Sequence, residues 1–131
     1  MSTKNEFRFA YFTPQYDATV AFYRDGLELP LINSRDRGAD DKGSVFAAAS
    51  GLIEGLARPA EGKFSHLFDA RPPQGAFMVI EIDNTEDAYA RACAKGLPIA
   101  QELKDQPWRH RNFCLTEPNG LVLYFYEVIS D

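Results

Sequence analysis

Histidine and cysteine are scarce in this chain, two of each in 131 residues. Cys93 and Cys114 stand 21 residues apart with no CxxC spacing. That excludes a disulfide framework and a cysteine-based zinc site, and free buried thiols in a reducing compartment are expected. Cys114 has no His–acid context that sequence can place, so a thiol nucleophile is unsupported. There is no GxSxG elbow, no P-loop and no GxGxxG. No apolar run approaches membrane-spanning length, and Met1 to Phe7 is polar, without the apolar centre of a secretion signal. A cytoplasmic protein without a membrane partner is expected. Basic charge is also short: 14 Lys and Arg face 19 Asp and Glu, a net charge of −5. An acidic surface repels phosphate backbones, so nucleic acid is not an expected partner. The excess charge serves solubility or modestly attracts a cationic ligand.

Aromatics are plentiful: ten Phe, six Tyr and one Trp. They either fill a core, which a chain of this length is able to bury, or line a cavity for a planar or apolar ligand. Phe7 to Phe12 reads as a strand. Thr13-Pro14 marks a helix start, with Thr13 as cap, Pro14 at the first helical position and Asp17 in the first turn. Tyr16, Val20, Tyr23 and Leu27 share one helical face, and Gly26 ends it. Leu29 to Asn33 is a short strand and Ser34 to Gly43 a charged loop or hairpin tip. Ser44 to Ala49 and Leu52 to Ala57 are strands turning at Ser50-Gly51. Residues 58–75, rich in Pro and Gly, connect the halves, with one short helix near Phe64 to Phe68.

The second half repeats the first. Ala76 to Ile82 is β-rich. Asp83 caps a helix with Glu86 in capping-box position, Ala88, Tyr89, Ala92 and Cys93 form its apolar face, and Gly96 stops it. Pro98 to Gln101, Arg111 to Thr116 and Leu121 to Val128 are strands, the last two joined by the turn signal Glu117-Pro118-Asn119-Gly120. Asp17-Ala18 and Gly26-Leu27 recur as Asp87-Ala88 and Gly96-Leu97, both offset by 70 residues. The order is β-α-β-β-β twice, which points to duplication. The chain is expected to be one α+β domain of two βαβββ modules, about 7–57 and 76–128, with the linker at 58–75.

Pro14 to Leu31 (PQYDATVAFYRDGLELPL) is similar to the opening of glyoxalase and bleomycin-resistance domains, where a helix ends in a Phe-Tyr-Arg-Asp run. Pro107 to Glu127 (PWRHRNFCLTEPNGLVLYFYE) resembles their closing segment, a Pro-Trp loop, a strand, an acidic-Pro-Asn-Gly turn and the last strand. On these residues the chain resembles the vicinal oxygen chelate superfamily over nearly its whole length. The resemblance implies curved mixed sheets around a ligand cavity, and a homodimer, because each module has an open sheet that its sister module or a module of a second chain must cover.

Metal-dependent members hold a divalent ion with inward-facing His and Glu. The family register puts the four ligand positions at Arg8, Glu54, Phe77 (Met78 by the 70-residue offset) and Tyr124. Arg8 stays protonated and cannot ligate, and neither Phe nor Met suits a hard cation. Only Glu54 is competent, so the resemblance implies the metal-free, bleomycin-resistance-like group and no cofactor. Arg8 either pairs with Glu54 in the cleft, putting a guanidinium where relatives hold an ion, or leans out to solvent.

Trp108 and Arg109 either contact a planar or anionic ligand or belong to a dimer contact and a solvated surface. Arg111 is a further candidate for an anionic ligand. His110 lacks a carboxylate placed beside it, which argues against a general base. His66 lies in the linker. Phe12, Phe46, Phe77, Val79, Glu81, Val122, Tyr124 and Tyr126 follow by alternation as cavity-facing, against the alternative of plain core. Glu81 either reaches the cavity or marks an exposed strand end. The candidate ligand-binding set is therefore Arg8, Phe12, Phe46, Glu54, Phe77, Glu81, Trp108, Arg109, His110 and Tyr124, with no catalytic or metal residue assigned. Three functions compete: a small-molecule binding protein of the bleomycin-resistance type, sequestering an aromatic or polar ligand without chemistry; a metal-dependent lyase, isomerase or dioxygenase recruiting His110, His66 or Glu81 beside Glu54; and a structural dimer whose cavity its own side chains fill.

Overall fold

The computed structural model describes residues 5–39, 41–57 and 71–130. The chain divides into two compact units, with the break between Pro73 and Gln74. Each unit is one βαβββ module built on a four-stranded mixed sheet, so the chain has the expected α+β class. The short helix expected near residues 64–68, and His66, lie outside the described residues.

Module one runs β1 (Arg8–Thr13), α1 (Tyr16–Ala21) continuing into a π-helical turn (Phe22–Gly26), β2 (Leu31–Asp36), β3 (Lys42–Ala48) and β4 (Gly51–Ala57). The sheet order is β1-β4-β3-β2, with β1 parallel to β4 and the other pairs antiparallel. The helix starts two residues later than Thr13-Pro14 suggested: Gln15 is the N-cap and Pro14 precedes it. Thr13 instead organises the turn, its hydroxyl accepting the Gln15 N–H at 2.9 Å, while the Thr19 hydroxyl donates to the Gln15 carbonyl at 2.8 Å. The expected charged loop is partly strand. β2 extends through Asp36, and Arg35 and Arg37 both grip Asp41 at the hairpin tip. Tyr23 and Phe46 are the largest buried side chains of this module, ring on ring at 5.6 Å, with the Tyr23 hydroxyl 2.9 Å from that of Tyr11. Burying each ring stabilises the module by about 2 kcal/mol or more.

Module two runs β5 (Phe77–Glu81), α2 (Thr85–Ala94), β6 (Ile99–Asp105), β7 (His110–Thr116) and β8 (Val122–Val128), in sheet order β5-β8-β7-β6. The N-cap is Asn84, one residue past the expected Asp83; its side chain accepts the Asp87 N–H at 3.0 Å. The N–H and hydroxyl of Thr85 both reach Glu127 Oε1, fastening the start of α2 to β8. These donors, the hydroxyl first, hold the Glu127 carboxyl below its ordinary range. Phe113 stacks on Phe125 at 5.3 Å and meets Tyr89 of α2 edge-on at 5.4 Å. The β7–β8 turn is built around Glu117, which is buried; its carboxylate accepts the N–H groups of Asn119 (2.5 Å) and Leu121 (3.0 Å) and the Asn119 amide (2.9 Å). Gly120 takes the left-handed conformation, φ 86°, that closes this turn. Cys114 is buried as expected and its thiol is pushed up by desolvation, but Cys93 is exposed, because it falls on the outer side of α2.

Candidate functional site

Alternation along the strands sorts each sheet into a face under its own helix and, among the described residues, a face without one. In module one the helix contacts Tyr11, Thr13, Ser44 and Phe46, so these define the helix face. The register pairs Arg8 with Leu52, Ala10 with Glu54, Phe12 with Leu56 and Val45 with Glu54, and these residues form the helix-free face. Phe46 was expected to line it and does not. It belongs to the core under α1 and its π-helical turn, one residue out of phase with Glu54.

Arg8 and Glu54 do pair, at 3.1 Å between Nη1 and Oε1. A second guanidinium, Arg35, approaches the other Glu54 oxygen at 3.6 Å, and Glu6 holds Arg8 from the opposite side at 2.5 Å. The carboxylate is only 12% exposed, against 37% for Arg8 and 39% for Arg35, so it is the least exposed member and the hub of an ionic staple crossing β1, β4 and β2. Gly43 makes the crossing possible: a Cβ there would stand 2.7 Å from Arg35 Nη1. The hydrogen bonds that Arg8 donates to Glu54 and then Glu6 strengthen its hold on the proton, and its pKa is raised. Sequence reasoning missed Arg35 because it sat in the presumed loop.

Module two presents a different surface. The helix face carries Phe113, Phe125 and Glu127; the opposite face carries Phe77, Val79 and Glu81 from β5, Val122, Tyr124 and Tyr126 from β8, and His110, Asn112 and Cys114 from β7. Tyr124 is its centre. The Trp108 indole donates to the Tyr124 oxygen at 3.1 Å, and His110 Nδ1 lies 3.0 Å from that same oxygen. The His110 ring stacks on Tyr126, centroids 4.0 Å apart and planes 18° off parallel. Beside them Asn112 is wholly buried, its carbonyl oxygen accepting from the side-chain amides of Gln101 and Gln106, each at 3.0 Å, and its own amide directed at Cys114 sulfur.

Of the expected residues, Arg8, Phe12 and Glu54 thus share the helix-free face of module one. Phe77, Glu81 and Tyr124 share that of module two, joined by His110 and, through its bond to Tyr124, by Trp108. Glu81 stands exposed at the end of β5, level with Tyr126. Arg109 is exposed with φ 69°, its main chain tied to Gln106 and Ile129. Arg111 is not a ligand contact on this face. It points to the helix side, bound to Asp105 at 2.7 Å and Glu86 at 3.2 Å. Gln101, Gln106 and Asn112 were missed, since nothing in a polar residue's spacing announces partners on another strand.

Among the described residues no three His, Cys, Asp or Glu side chains form a group able to hold a metal ion. Among the described residues the Glu54 carboxylate, the one competent donor at the expected ligand positions, is taken by two guanidinium groups, so these donors do not fit the superfamily's ion. No helix among the described residues is long and apolar enough to cross a membrane.

The sequence from residue 7 to 125 matches the model of the glyoxalase/bleomycin resistance protein/dioxygenase superfamily, and the chain belongs to that family. Comparison with curated sequences returns no significant match. Among solved structures, TioX from Micromonospora sp. ML1 superposes with a TM-score of 0.75 at 13% identity, over 95% of this chain and 99% of that one. TnmS3, an antibiotic binding protein from Streptomyces sp. CB03234, gives 0.71 at 16% identity over 98% of each chain. A glyoxalase/bleomycin resistance protein/dioxygenase from Nocardioides gives 0.70 at 19% identity, over 99% of this chain and 87% of the other. At such identities the likeness is one of fold.

Proposed function

We propose that this protein binds a small planar organic molecule on the helix-free face of module two and sequesters it without metal-dependent chemistry. The observation that carries this reading is the aromatic group Trp108–Tyr124–His110–Tyr126, in which an indole 57% exposed is nevertheless fixed by a hydrogen bond. A ring held in place before the ligand arrives loses little entropy on binding. Phe77 and Val79, both exposed on the neighbouring strand, widen the apolar floor. The ionic staple of module one supports the metal-free part, since Glu54 would have to leave two guanidinium groups to bind a cation. The antibiotic-binding neighbour makes ligand sequestration a reasonable use of the fold.

The test is a thermal-shift screen of aromatic and antibiotic-like compounds on protein purified without chelators, with metal content measured on the same sample. Stabilisation by a planar compound at substoichiometric metal is the expected result. A stoichiometric divalent metal, with no compound stabilising the protein until it is present, would contradict the proposal. A homodimer belongs to the same reading, because edge strand β2 exposes Leu31 and Ile32; sedimentation showing only monomer at micromolar concentration would remove that part.

A further inference from the structure

The hydrogen-bond directions at the aromatic group restrict what it binds. An indole N–H only donates, so Trp108 makes the Tyr124 oxygen an acceptor. The phenol has one proton left, and His110 Nδ1 is 3.0 Å away to receive it. A relay running from Trp108 through Tyr124 to His110 satisfies all three groups. In that relay His110 accepts at Nδ1 and carries its N–H on Nε2. Among the described residues that nitrogen has no partner, and neither do the Tyr126 hydroxyl or the Glu81 carboxylate, which is level with Tyr126 across the β5–β8 pair. Of the charged groups near His110, Arg111 is directed to Asp105 and Glu86 on the helix face, and Glu127 to Thr85. Lys104 pairs in register with Asn112 rather than with His110.

Resting on the proposed binding face, we infer that its ligand is a planar heteroaromatic molecule with a carbonyl-type acceptor for His110 Nε2–H and an N–H or O–H donor for the Glu81 carboxylate, and that planar anions are disfavoured. The rings supply affinity through stacking, which any planar compound shares. The two unpartnered polar groups supply the discrimination, because a ligand lacking the matching atoms would bury them without a partner. A ligand carboxylate would also meet Glu81 as a like charge.

Trp108 is the only tryptophan, so its emission reports on this face alone. The experiment titrates the full chain with three bicyclic probes: 4-quinolone, which has both the acceptor and the donor; naphthalene, which has the outline and neither; and 2-naphthoate, a planar anion. The expected order is 4-quinolone at least about tenfold tighter than naphthalene, with 2-naphthoate weakest. His110→Phe, which keeps a ring for stacking, should bring 4-quinolone to the naphthalene level, and Glu81→Gln should raise 2-naphthoate towards naphthalene. Equal binding of 4-quinolone and naphthalene by the unaltered protein overturns the inference and leaves the binding face standing, whether or not the variants fold. No response to any probe overturns both. Emission that shifts on dilution of the protein alone, with no response to probes, assigns the face to a second copy of the chain and likewise overturns both.

Discussion

The two modules share a topology and use it oppositely on their helix-free faces. Module one crosses its sheet with charge: Arg8, Glu54 and Arg35 hold the edge strands to the middle. Module two crosses its sheet with neutral hydrogen bonds and rings: Gln101 and Gln106 on Asn112, Trp108 and His110 on Tyr124. Half-exposed ion pairs are weak and screened by salt, whereas buried neutral bonds are costly to break and indifferent to salt. The difference also divides the work. A carboxylate already satisfied by two arginines has little left for a ligand, while a fixed aromatic group flanked by unpartnered polar atoms has a good deal.

The largest expected effect is at Asn112. Truncation to alanine strands two glutamine amides on a buried oxygen's former place, and the loss should be about 2–3 kcal/mol, the same at low and high salt. Urea denaturation in both conditions measures it, and a salt-dependent loss would erase the contrast. Tyr124→Phe should cost about 1–2 kcal/mol by leaving two partners unmet, and the freed indole should emit further to the red. Acid should expose the Thr85–Glu127 fastening. A carboxyl held below its ordinary range contributes fully above that range and loses the contribution as pH falls towards its folded value. Stability against pH should therefore fall on the acid side, and Glu127→Gln should flatten that limb; an unchanged limb would show the fastening to be idle. In module one, Glu54→Gln should cost about 0.5–1 kcal/mol at low salt and nothing measurable in about 1 M salt. The smallest effect belongs to Gly43→Ala. Its methyl pushes against the far end of the Arg35 side chain and against Leu56 Cδ2, so a few tenths of a kcal/mol at most should be lost (~0.3), together with the Arg35–Glu54 contact, which a crystal structure of the variant would show.

Much of the architecture is readable from residues alone because its punctuation is chemical. Gly96 and Glu117-Pro118-Asn119-Gly120 mark ends that only a few residue types make, and the strands fall between them, whereas Gly26 lies within its helical turn and Glu28 takes the left-handed conformation after it. The phase of β3 is not readable. Val45 and Phe46 are both apolar, so alternation gives two equal answers, and only the pairing of Val45 with Glu54 decides that Phe46 belongs to the core. Arg8 and Glu54 were legible as a pair because the family register put both at ligand positions, where opposite charges need each other. The Asn112 group was not, because β6 pairs with β7 through two register shifts that bring Gln101 onto Cys114 and Lys104 onto Asn112, and no spacing rule anticipates a shift. Likewise Trp108 was recognisable as an exposed ring but not as a fixed one, since its partner is 16 residues away on another strand.

The claim that module two holds the ligand while module one is only stapled rests on Trp108, whose indole N–H gives a single resonance in a proton–nitrogen correlation spectrum. Titration with 4-quinolone should move that resonance progressively and saturably while the arginine side-chain signals of Arg8 and Arg35 stay in place. An indole resonance that holds still while those arginine signals move would put the site on the ionic face and contradict the account.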